Sequence, residues 1–268
     1  MINSVQNALN SILGAFTVLN NATGAGRVFE LYIMTGIAIE MQNRGFEVWP
    51  QRSDGTRINP GDTDRTFIQR GGAPSGVPSA SDGANNASVI GMRRSQNHHS
   101  WELWNGIQFE GRSGADHEID IALVPATVGA SLRATATGGS PFGRPRVAIE
   151  CKDVQTTGAP DEMRALVARL YDLSLLFYHQ PYLNYPPPTM AIYPGSPLKP
   201  PIYLAKSTYR AENWSTFNAL ARRTKVSSGA QQLTGYYDIQ AYGSVTLGSP
   251  GYNGLIAAVG AWIDGRLP

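Results

Sequence analysis

His117-Glu118-Ile119-Asp120-Ile121-Ala122-Leu123-Val124 and Arg146-Val147-Ala148-Ile149-Glu150-Cys151-Lys152-Asp153 are the two runs on which the fold turns. In both, Ile and Val alternate with other residues, and Pro125 and Pro145 bound the runs, which predicts two short β-strands. Successive side chains of a strand point to opposite faces. Glu118 and Asp120 are therefore expected on one face, with Ile119 and Ile121 on the other. By the same rule Glu150 and Lys152 share a face, away from Ile149 and Cys151. If the strands pair as neighbours, Asp120, Glu150 and Lys152 meet at one polar spot on the sheet. Two carboxylates and an ammonium gathered in one place can hold a hard divalent cation and position a water. The bland alternative is two surface strands with solvated charges.

Working outward, residues 100–111 carry Trp101, Leu103, Trp104, Ile107 and Phe109 and read as a long strand. The turn at 112–116 reverses the chain into the Asp120 strand, so the first acid sits on the return arm of a hairpin. Residues 46–49 read as a further strand, leaving a helix over 27–43 that stops at Gly45. That helix is apolar nearly all round, as buried helices are. Glu30 is the exception, flanked at helical spacing by Ile33, Met34, Ile37 and Met41. A carboxylate on an apolar face needs a metal, a proton or a cation such as Arg27 or Arg44. Downstream, Gly158-Ala159-Pro160-Asp161-Glu162 is a good helix start, with proline and acids in the first turn. Strands are then expected at 189–193 and 201–205, a helix at 214–223, a strand at 236–242 and a closing helix at 255–263. The order is an α/β fold, a mixed β-sheet flanked by helices.

The 268 residues suffice for one domain, expected over 27–268, with a long Gly/Ser/Arg loop at 51–99. Residues 1–26 are expected to form an amphipathic helix, with Val5, Leu9, Ile12, Leu13, Phe16 and Leu19 at helical spacing. Having no charges, that helix offers either an internal packing face or a surface for a homodimer or larger complex. Net charge is +2 and charged residues are 16%, so overall charge does not mark a nucleic-acid binder. One cysteine excludes an internal disulfide framework and fits a reducing cytoplasm. Four histidines lack the spacing of an HExxH zinc site. Residues 1–26 lack the charged start of a signal peptide, and no apolar run reaches the ~18–20 residues of a membrane span. A cytoplasmic protein with no membrane partner is expected.

An acidic residue on one strand followed by Glu-x-Lys on the next resembles the PD-(D/E)XK (restriction-endonuclease-like) nuclease superfamily. The likeness covers roughly residues 27–205, with Ile119 where the motif's name has proline. It implies a restriction-endonuclease-like core and a metal-dependent endonuclease acting on DNA, of a restriction or phage-defence type. Asp120 and Glu150, with the Cys151 carbonyl, are implied to hold Mg²⁺, for which Mn²⁺ can substitute. Lys152 is implied to orient the attacking water. Glu118 and Glu30 are secondary ligand candidates, Glu30 matching an acid that many such nucleases carry on the first core helix. The alternative is a non-catalytic nucleic-acid-binding or assembly subunit that keeps the fold.

DNA contact is expected from two basic regions. Lys199, Lys206, Arg210, Arg222, Arg223 and Lys225 stand against Glu212 alone. Arg222, Arg223 and Lys225 also lie at the end of the helix expected over 214–223, where cations are favoured in any case. The Gly-rich loop contributes Arg93 and Arg94 among other arginines, offset by four aspartates.

Overall fold

The computed structural model describes residues 1–20, 25–69, 87–111, 113–133, 144–173, 175–176 and 216–267. The strands expected at 189–193 and 201–205 lie outside them, as do Lys199, Lys206, Arg210 and Glu212. The described elements are α1 (Ile2–Leu13), β1 (Val18–Asn20), α2 (Ala25–Asn43), β2 (Glu47–Gln51), β3 (Thr66–Ile68), β4 (Val89–Arg93), β5 (Trp101–Glu110) and β6 (Asp116–Pro125). They continue with α3 (Ala126–Arg133), β7 (Val147–Lys152), α4 (Pro160–Asp172), β8 (Phe217–Arg222), α5 (Ser228–Tyr236), β9 (Ile239–Tyr242) and α6 (Pro250–Arg266).

Seven strands make one mixed sheet in the order β2-β4-β5-β6-β7-β8-β9. From β2 to β7 neighbours run antiparallel; β7, β8 and β9 are parallel. Parallel neighbours need crossovers. Among the described residues α4 lies in the first and α5 forms the second. Both helices pack on one face, where Met163, Leu166, Leu170 and Ala230 join Ala148, Leu220 and Ile239. On the other face α1, α2 and α6 cover Leu103, Ile121, Ile149 and Cys151. Val5, Leu9 and Ile12 of α1 are buried in that same core, which is the internal packing reading of the helix. The helix stops at Leu13 with left-handed Gly14 as its cap, so Phe16, 62% exposed, and Leu19, in β1, lie outside the stripe expected for them. No helix among the described residues is long and apolar enough to cross a membrane.

Helix ends follow local chemistry. Pro160 opens α4 with Asp161 and Glu162 in its first turn, and the Ser249 hydroxyl caps α6 by accepting from the Tyr252 N–H.

Three further expectations need correction. Residues 217–222 form β8, not a helix. The run Phe217-Asn218-Ala219-Leu220-Ala221-Arg222 is buried at every position, and a short run buried on both faces has no period that tells strand from helix. The 51–99 segment is not all loop, since it contributes β3 and edge-pairing β4. Finally, Ile119 and Ile121 do not share a face, because Ile121 belongs to the α2 side and Ile119 to the α4 side. The cause is Gly106, at φ +67° and across the hairpin from Asp120, where the β5–β6 ladder skips one pair. A left-handed residue breaks the pleat, and the facing strand changes side with it.

Candidate metal and nuclease site

Asp120 lies at that break. The β6–β7 ladder runs from Leu123↔Val147 to Ile121↔Ile149 and stops. One step beyond, the Asp120 carboxylate takes the place of backbone, its Oδ2 accepting from the Cys151 N–H at 2.7 Å. The carboxylate thus sits where two strands part. Glu150 and Lys152 come from β7, Glu30 from α2 on one face, and Arg169 from α4 on the other.

Of the partners that its sequence position left open, Glu30 has Arg27. Its Oε2 accepts from Arg27 Nη1 at 3.0 Å and from Asn105 Nδ2 at 2.7 Å, and its charge acts on Asp120. Arg44 instead pairs with Glu40 and Asp264. Glu118 turns to the same arginine, its Oε1 3.1 Å from Arg27 Nη1. Asn105 Nδ2 also donates to the Asp120 carbonyl at 3.1 Å, while its buried Oδ1 has no partner among the described residues. Glu150 is 5% exposed, with Oε1 2.5 Å from Lys152 Nζ and Oε2 paired with Arg169.

Charge crowding shifts the protonation equilibria. Burial, then Glu150 and Glu30, raise the Asp120 carboxyl to about 8, against the Cys151 N–H and Lys152, which lower it. Burial also raises Glu30, outweighing Asn105 and Arg27, with Glu118 adding to the rise. Burial alone would lower the Lys152 ammonium, yet Glu150 and Asp120 hold it above its usual value. Lys152 therefore stays a cation and a donor.

Among the described residues no group of three His, Cys, Asp or Glu side chains forms a ready cage for a metal. Mg²⁺ does not require one, because it commonly uses one or two carboxylates plus waters and substrate phosphates. The donor set fits that habit: Asp120 and Glu150 from adjacent strands, an orphaned amide oxygen on Asn105, and crowded negative charge. The Cys151 N–H points to β6, and a strand residue's carbonyl faces the same edge as its N–H, which puts that oxygen beside Asp120.

The basic candidates fare unequally. Arg222 is 1% exposed and is no surface phosphate ligand, a correction to the sequence reading. Its guanidinium donates to the Thr156 carbonyl and Thr224 hydroxyl and pairs with Glu162. Arg223 is partly exposed beside Asp153, and Lys225 is exposed. Arg93 pairs with Glu47, and Arg94 with Asp264. Asn105 and Arg169 escaped the sequence reading. The Asn105-Gly106 pair inside an apolar strand was a usable signal for a bulge; Arg169, beside an apolar helix stripe, gave none. Comparison with protein-family models, curated proteins and solved structures returns no match.

The raised Asp120 carboxyl makes a testable pH dependence. Its usual value is 3.8, and the fold favours the protonated form. The stability from this group is therefore complete below about 4 and is lost as pH rises through about 8. Asp120→Asn keeps an acceptor for the Cys151 N–H and cannot ionise. Melted in EDTA, it should gain roughly 1–3 kcal/mol on wild type between pH 5 and pH 8. Glu30→Gln removes one charge that raises the Asp120 carboxyl, so the loss should be smaller than in wild type and finish at lower pH. Parallel Tm profiles for wild type and Asp120→Asn would remove the charge crowding from the account.

Proposed function

We propose that the chain is a Mg²⁺-dependent endodeoxyribonuclease with a restriction-endonuclease-like core, working in the cytoplasm on DNA. One observation carries this reading: Glu30, Asp120 and Glu150 gather where β6 leaves β7, with Lys152 beside them, and burial together with the two neighbouring carboxylates holds the Asp120 carboxyl up to about 8. Supporting it is the succession of α2, the β5–β6 hairpin, β7, crossover helix α4 and parallel strand β8, with β2 to β4 set before the hairpin and α3 after it.

A divalent cation between Asp120 and Glu150 would supply a Lewis acid to the scissile phosphate. Lys152, kept protonated by Glu150, orients the attacking water and offsets charge growing on the phosphoryl oxygens. Asp120 is anchored by the Cys151 N–H, and Asn105 ties Glu30 to the β6 backbone. Both anchors keep the carboxylates from drifting apart.

A second reading, a non-catalytic nucleic-acid-binding or assembly subunit, draws on the pairing of both Glu150 oxygens with Lys152 and Arg169. Incubating the protein with plasmid and linear DNA, in Mg²⁺ or in EDTA, separates the two. Cleavage in Mg²⁺ alone supports the nuclease; binding without cleavage supports the subunit. For the DNA surface, the Arg223→Gln, Lys225→Gln double variant should weaken binding and flatten the log–log salt slope by up to ~0.9 per lost phosphate contact. An unchanged slope would place DNA elsewhere.

A further inference from the structure

Glu150 is nearly sealed from solvent, yet it faces the Asp120 carboxylate, on which Glu30 also acts. A buried carboxylate needs a countercharge, and one of its two countercharges comes from outside the strand pair. Lys152 is only two residues along β7. Arg169 reaches across from α4 to Glu150 Oε2, and its Nη1 lies 3.4 Å from the Glu118 carbonyl. Helix α4 itself is pinned at both ends. Glu162 in its first turn pairs with Arg222 of β8, and Asp172 in its last turn accepts from the Ser113 hydroxyl and meets His117 Nε2 at 2.7 Å. The helix is therefore fixed, and the Arg169 side chain, 29% exposed, is the part able to move.

We propose that Arg169 is a positioning residue that holds Glu150 in the cation-free site, competes with a divalent cation for Glu150 Oε2, and turns to the DNA phosphate once displaced. The proposal rests on the metal-dependent reading of Asp120 and Glu150. Charge supports the exchange. Glu30, Glu118, Asp120 and Glu150 face Arg27, Lys152 and Arg169, an excess of one negative charge at full ionisation. A divalent cation turns this into an excess of one positive charge, which a phosphodiester neutralises. Arginine suits the second role because its planar fork matches phosphate as well as carboxylate.

The test is a Mn²⁺ titration by calorimetry on the full chain as wild type, Arg169→Gln and Arg169→Lys. DNA affinity is measured beside it in Ca²⁺. Arg169→Gln should bind Mn²⁺ about tenfold more tightly than wild type, because the competitor is gone, while its DNA affinity falls. Arg169→Lys, a monodentate competitor, should lie between the two in Mn²⁺ affinity and recover part of the DNA affinity. A merely structural Arg169 would lower Tm and leave Mn²⁺ affinity equal or weaker, and that result overturns the proposal. If Arg169→Gln fails to fold, Arg169→Lys decides alone: tighter Mn²⁺ binding than wild type supports competition, equal or weaker binding overturns it. Wild type that binds Mn²⁺ and cleaves DNA beside an Arg169→Gln that gains nothing ends this proposal and leaves the nuclease reading intact. Mn²⁺ binding by none of the three proteins ends both.

Discussion

Asp120→Asn, Glu150→Gln and Lys152→Ala are each expected to cut Mg²⁺-dependent cleavage of plasmid DNA by at least ~10²–10³. The three act differently, and the variants should show it. Asp120→Asn removes a charge while keeping the acceptor for the Cys151 N–H, so it should lose activity and melt higher than wild type above neutral pH. Glu150→Gln strips the countercharge from Lys152 and Arg169 together, so it should lose activity and stability at once. Lys152→Ala leaves Arg169 on Glu150, and its loss should fall on the rate of cleavage rather than on Mn²⁺ binding. Rates are read from supercoiled plasmid converted to nicked and linear forms, beside circular dichroism and melting of each variant. Wild-type rates in either carboxylate variant would sink the assignment of the site. Cleavage that persists in EDTA would sink the cation's part in it.

The elements carrying these residues were legible because each has a clean period or punctuation. Alternation in 117–124 and 146–153, the turn at 112–116, Pro160 with its acids and Gly45 place β6, β7, the hairpin, α4 and the end of α2 close to where they stand. What failed was reading period where burial is uniform. β8 is covered on both faces, so it shows no alternation, and Arg222 at its end passed for a helix-terminal cation. Helix α5 escaped for the opposite reason, since its sequence mixes polar residues and glycine and few of its side chains are buried. Strand parity also failed at one point. It holds along β5 and β6 only as far as Gly106, whose positive φ sends Ile119 and Ile121 to opposite faces. Alternation placed Asp120 beside Glu150 and Lys152, but its setting in the gap between strands came from the break. Asn105 and Arg169 act across elements, and their role follows from tertiary placement that no local pattern encodes.

Arg222 gives the sharpest contrast between a charge read as a surface ligand and the same charge held inside the fold. Its Nη1 donates to the Thr156 carbonyl at 2.7 Å and the Thr224 hydroxyl at 2.8 Å, and Nη2 lies 3.1 Å from Glu162 Oε2. Gly158 leaves it room: a Cβ there would come within 2.6 Å of Arg222 Nε. Around it the backbone is stitched by Arg223 N–H to the Lys152 carbonyl and Gly158 N–H to the Lys225 carbonyl. The loop after Lys152 is thus clamped to the end of β8, and α4 begins from that clamp. Arg222→Ala leaves Glu162 without its cation and opens a cavity where the buried guanidinium stood. The expected cost is about 3–5 kcal/mol, a fall in Tm on the order of 10 °C. Because the clamp sets the start of α4, Arg169 and Glu150 should loosen with it, and cleavage should fall further than the unfolded fraction explains. DNA affinity of the folded protein and its salt slope should not change, unlike those of the Arg223→Gln, Lys225→Gln double variant. Gly158→Ala, which crowds Arg222 without deleting it, should lower Tm in the same direction. If Arg222→Ala melts as wild type does and flattens the salt slope instead, the guanidinium faces DNA after all, and the clamp between β7, α4 and β8 is not what holds the site together.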